Sequence, residues 1–116
     1  MNLFDKNQLP ENFEYPLNFL TFIGENHMDL EPWVIMEGDY LKKRYEGIIK
    51  RYHKKNLIPF ARRIDNDDIA CWDSNHLNMV VIIHDFASAG WEQRQIYNNF
   101  DEWMQSVKND IQNYNS

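Results

Sequence analysis

Cysteine is nearly absent from this chain. Cys71 stands alone among 116 residues, so no disulfide within the chain can form, and a reducing compartment is the simplest setting for such a sequence. Glycine and proline are sparse, four of each, which leaves no Gly/Pro-rich linker, repeat or low-complexity segment. Long hydrophobic runs are missing as well. The apolar stretch from Tyr15 to Gly24 covers ten residues, about half of what a membrane-spanning helix requires. The first eight residues also lack a basic segment followed by an apolar one, so no signal peptide is expected. The expected location is the cytoplasm. An excess of base is missing too: 18 acidic against 12 basic residues leave a formal charge of −6, which disfavours binding to nucleic-acid phosphates.

The composition that remains suits one domain over residues 1–116, since 43% hydrophobic and 15% aromatic residues suffice for a single core. The charges fall in bands. Residues 1–40 carry −7, residues 41–63 carry +8 and residues 64–116 carry −7. A cationic protein partner fits the acidic balance best.

The pattern centres on Leu57 to Asp73. Residues 57–64 and 69–73 are rich in apolar and β-branched side chains, and Asp65-Asn66-Asp67 between them favour a turn. A hairpin follows. Alternation groups Ile58, Phe60 and Ile64 on one face and sets Ala70 and Trp72 opposite Ile69 and Cys71. Apolar residues on both faces predict a covered hairpin. Pro59 has no N–H for a ladder and belongs at a strand start, an edge or a bulge; its expected place is near the start.

Elsewhere, residues 33–36 predict a short buried strand, and residues 79–84 a continuous apolar strand expected to be central. Residues 91–97 predict a polar edge strand. A helix over 39–53 carries the stripe Leu41, Tyr45, Ile48, Ile49 and Tyr52, capped by Asp39, with a bend possible at Gly47. A second helix over 99–112 carries Phe100, Trp103, Met104, Val107 and Ile111 behind an Asn98-Asn99 cap. Residues 10–15 suggest at most a short helix that Pro16 interrupts. Residues 15–23 are compatible with strand or helix. The expected architecture is α+β, an antiparallel sheet of about five strands with the 39–53 and 99–112 helices packed on it.

This order of elements, with Leu-Ile-Pro-Phe-Ala (57–61), Ile-Ala-Cys-Trp-Asp (69–73), Val-Val-Ile-Ile-His-Asp (80–85) and Tyr-Asn-Asn-Phe-Asp-Glu-Trp-Met (97–104), resembles the SUKH (Smi/Knr-like) superfamily over residues 30–107. Many bacterial members of that group are immunity proteins against polymorphic toxins. The chain departs from the family where Asp65-Asn66-Asp67-Asp68 replace a glycine-rich turn and where the N-terminal Leu-Pro helix is interrupted by Pro16. The resemblance implies a cytoplasmic, non-enzymatic protein, monomeric or weakly dimeric, that occludes a cognate toxin such as a nuclease and needs no cofactor. A Smi/Knr-type scaffold for other protein partners is the alternative, and a small hydrolase a more distant one.

Chemistry in the residues themselves is sparse. His84-Asp85 could orient an imidazole for acid/base work, but the pair reads more simply as a strand end. His27, His53, His76 and His84 lack ligand spacing, so no metal is expected. Cys71 in an apolar strand reads as inert core. Lys42, Lys43, Lys50, Arg51, Lys54 and Lys55 read as a solvated helix face. The candidate partner-binding residues are Asp65, Asp67, Asp68 and Asp73 with Asp85 and Glu92 as an acidic patch, and Trp72 and Trp91 as aromatic anchors.

Overall fold

The computed structural model describes residues 3–25, 29–52, 56–76, 78–84 and 93–115, with the side chains of residues 93 and 94 set aside. After a 3₁₀ turn at Lys6–Gln8 come helix α1 (Leu17–Glu25), strand β1 (Trp33–Ile35), helix α2 (Gly38–Arg51), strands β2 (Leu57–Arg63), β3 (Asp68–Asp73), β4 (Met79–His84) and β5 (Gln93–Tyr97), and helix α3 (Phe100–Tyr114). The five strands form one antiparallel sheet in chain order, β1-β2-β3-β4-β5. The α+β expectation holds. β3 rather than β4 occupies the middle, because β5 adds outside β4 and leaves it one strand from the edge.

The hairpin forms as its composition implies, with Leu57 opposite Asp73 and Ile58 opposite Trp72. Its register slips between Pro59 and Ala61, where the ladder tolerates a residue with no N–H to give. The slip turns Phe60 and Ala61 toward the same core. Ile64, expected to continue the strand, lies beyond its end and is exposed.

Because strand side chains alternate, each of the inner strands β2, β3 and β4 serves two cores. On one face Ile58, Phe60, Ala70, Trp72, Val80 and Ile82 pack against Phe19 of α1 and Phe100, Trp103 and Val107 of α3. On the other, Leu57, Ile69, Cys71, Val81 and Ile83 pack against Leu41 and Ile48 of α2. The two long helices therefore sandwich the sheet. The first core is built on rings: Trp72 stacks on Phe60 at 4.1 Å between centroids and meets Phe19 edge-on at 4.7 Å. Tyr15 joins this cluster, and burial pushes its phenol up to about 12, so it stays neutral at physiological pH.

Three local expectations need correction. Residues 10–15 form no helix; α1 starts just after Pro16, whose carbonyl accepts from the Leu20 N–H at 3.1 Å. Proline suits a helix start, where a missing N–H goes unnoticed. Asp39 sits in the first turn of α2, not at its cap, which is Glu37. Ile49 is 47% exposed while its neighbour Ile48 is fully buried, so the packed stripe of α2 is narrower than its apolar residues suggest. The cap of α3 agrees: Asn99 Oδ1 accepts from the Glu102 N–H at 2.9 Å. Among the described residues no helix is long and apolar enough to cross a membrane.

Two glycines of α2 should respond oppositely to alanine. Gly38 has φ +62°, a region that costs an L residue about 1–2 kcal/mol. Gly47 is helical, and an added Cβ would meet only the end of the flexible Arg51 side chain, at 3.1 Å. Gly47→Ala is therefore expected to gain up to about 1 kcal/mol from helix propensity. Thermal melts should move by about 4 °C in opposite directions; shifts of the same sign would contradict this backbone assignment.

Candidate functional site

The acidic turn is where the sequence concentrates its candidate contacts, and folding changes its character. Arg63, the last residue of β2, turns back on the turn that follows it. Its Nε and Nη2 donate to the two oxygens of Asp65, each at 2.8 Å. The same guanidinium lies 5.6 Å from the Trp33 ring centroid, and its Nη1 is 3.5 Å from Asp110 of α3. The Trp33 Nε1–H donates to that Asp110 carboxylate at 3.0 Å. Arg63 thus ties turn, β1 and α3 together, with a forked pairing that is stronger than a single contact.

The hydrogen bond from Arg63 holds the Asp65 carboxyl below its ordinary value of 3.8. A depressed folded-state value means that this stabilisation is fully present above the ordinary value and is lost as pH falls through the lower, folded one. Asp65→Asn is therefore expected to flatten the acid limb of the stability curve below about pH 4. Urea titrations across that range test it; a variant that keeps the wild-type acid slope contradicts the assignment.

Asp68 is only 8% exposed, and its carboxylate lies 3.2 Å from His84 Nδ1 across the β3–β4 pair. His84 is thus oriented by Asp68; its expected neighbour Asp85 lies outside the described residues, as do Trp91 and Glu92. At the far end of β3, Asp73 accepts from the Asn75 N–H at 3.0 Å and lies 2.7 Å from His76 Nδ1. Of the described carboxylates in the expected patch, Asp67 is the one left open to a partner. Local hydrogen bonding absorbs the others, as short acidic side chains in turns tend to do.

Trp72 is corrected outright. It is fully buried among Phe13, Tyr15, Phe19 and Phe60 and cannot anchor a partner without unfolding the core. Its Nε1–H has no hydrogen-bond acceptor among the described residues, and the surrounding rings hold it by packing.

A second set of residues, not singled out by sequence, forms a concave surface beside the turn. Tyr40 at the start of α2 is 45% exposed. The Arg62 guanidinium lies 4.9 Å from the Tyr40 ring centroid and that of Arg44 5.7 Å from it. Arg44 Nη2 also donates to the Tyr40 hydroxyl at 2.9 Å. These residues line a cleft of about 190 Å³ together with Arg63, Asp67 and Asp68. Arg44 and Tyr40 also line a neighbouring hollow of about 250 Å³ along α2, with Lys43, Gly47 and Arg51. The four-residue spacing of Tyr40 and Arg44 is a readable helix pairing; the arrival of Arg62 from β2 is not.

Among the described residues, no group of three or more His, Cys, Asp or Glu side chains converges as metal ligands would. Electrostatically, the site offers two guanidiniums ordered against an aromatic face, next to one open carboxylate. Such groups bind and orient charged partners. No family model matches the chain, and neither a curated protein nor a solved structure matches it.

Proposed function

We propose that this protein works by binding another protein, as an immunity protein that blocks a cognate toxin sterically in the bacterial cytoplasm. The observation that carries the binding reading is the Tyr40–Arg44–Arg62 cleft. Tyrosine and arginine are the residues over-represented at interface hot spots, and here stacking and a hydrogen bond hold them in place before any partner arrives. The two cores behind the cleft support the same view, since a surface backed by covered strands loses little entropy on docking. The toxin as partner rests on the SUKH resemblance of residues 30–107. The net charge of −6 adds that a toxin of opposite overall charge would be drawn in quickly at low salt and more slowly as salt rises.

The test is expression of this chain together with the toxin encoded beside its gene. Growth should be restored, and the two proteins should copurify as a defined complex. Cells that die despite full expression, with no complex recovered, would end the proposal.

A further inference from the structure

Two opposite charges line one cleft without meeting. Arg62 on β2 and Asp67 in the following turn both face the space beside Tyr40, yet they form no ion pair with each other. Among the described residues neither has a partner of opposite charge. Stacking explains the separation: the guanidinium of Arg62 is held over the Tyr40 ring, away from the turn. Arg63, the adjacent residue, also borders the cleft but is already paired with Asp65. A concave surface lined by both an unneutralised cation and an unneutralised anion is complementary to a ligand carrying both signs.

From this we infer that the cleft receives a mixed-charge segment of a partner protein, an acidic side chain meeting Arg62 and a neighbouring basic side chain meeting Asp67. The inference rests on the binding reading above and specifies what the partner presents. A guanidinium fixed against an aromatic ring offers its edge to a carboxylate in forked geometry. A continuous polyanion is a poor fit, because Asp67 and Asp68 would repel its next charge and the chain as a whole carries −6. The net acidity still attracts a basic partner from a distance, while the cleft sets the register by taking one of that partner's carboxylates.

The experiment is an NMR titration of the full chain with an acetylated, amidated peptide of alternating Glu and Lys. Inorganic phosphate and a short oligothymidylate serve as competing anions. The mixed peptide should shift the Arg62 and Arg44 Nε–H signals and the Tyr40 ring signals saturably. Arg62→Glu should weaken binding by about ten-fold or more, and Arg62→Lys, which keeps charge but loses the planar stack, by a smaller factor. If Arg62→Glu fails to fold, Asp67→Lys takes its place: it should weaken the Glu/Lys peptide and strengthen an all-Glu peptide. Equal binding by wild type and variants, or preferential binding of phosphate or oligothymidylate, overturns the inference. The two readings separate cleanly. A toxin held at full strength by Arg62→Glu leaves the immunity reading standing and removes the cleft; peptide binding at the cleft without any toxin complex does the reverse.

Discussion

Trp72→Ala is expected to lower the unfolding free energy by about 4 kcal/mol, a large part of the roughly 5–15 kcal/mol that holds a domain of ordinary stability. The reasoning is geometric. Trp72 is fully buried at the middle strand, stacked on Phe60 at 4.1 Å and flanked by Phe13, Tyr15 and Phe19, so truncation opens a void bordered by rings too rigid to collapse into it. Trp72→Phe should cost much less, under about 2 kcal/mol, because it keeps a ring on Phe60 and deletes an N–H that has no acceptor among the described residues. Urea denaturation measures both. A loss below about 1 kcal/mol for the alanine variant would mean that Trp72 does not sit at the centre of this core.

On the opposite face of the sheet, Ile48→Ala and Ile49→Ala should behave as different classes of substitution although they are neighbours in one helix. Ile48 is fully buried against the face formed by Leu57, Ile69, Cys71, Val81 and Ile83, whereas Ile49 is 47% exposed. The first should cost about 3 kcal/mol. The second should change stability by no more than about 0.5 kcal/mol, since the small loss of burial is offset by alanine's better helix propensity. Equal losses in the same urea experiment would show that α2 is rotated about its axis relative to this packing.

The Ile48/Ile49 pair also illustrates how far local pattern reaches. Leu41, Tyr45, Ile48, Ile49 and Tyr52 make a stripe that identifies the helix, but a stripe broader than the surface it covers leaves its margin ambiguous. Where it meets the sheet depends on strands remote in sequence. Residues 17–25 show the opposite limitation. With apolar side chains at most positions, neither period stands out, and the helix emerges because Phe19 packs into the ring cluster. The hairpin was readable because turn chemistry and β-branched runs are local properties; its slip between Pro59 and Ala61 was not, although Pro59 marked where a ladder would be weak.

Candidate contacts were less legible than elements. The acidic turn was visible as a run of carboxylates, but Arg63 lies close enough in sequence and space to neutralise Asp65, and a cross-strand histidine engages Asp68. Trp72 had the right chemistry for an anchor but lies fully buried in a strand whose two faces are both covered. Tyr40, Arg44 and Arg62 carried no mark beyond one helical spacing, because two lie on α2 and the third on β2.

Hydrophobic spacing and turn residues were enough to specify the order of elements from β1 onward, the hairpin and inner strands apolar on both faces, because each depends on residues within a few positions of one another. Assembly settled the rest: that α2 covers one face while α1 and α3 cover the other, that Asp65 is spoken for and Asp67 is not, and that Arg62 meets Tyr40. Charge pairing and ring stacking act over a few ångströms between groups far apart along the chain, so they come into being with the packed structure and leave little trace in the order of residues.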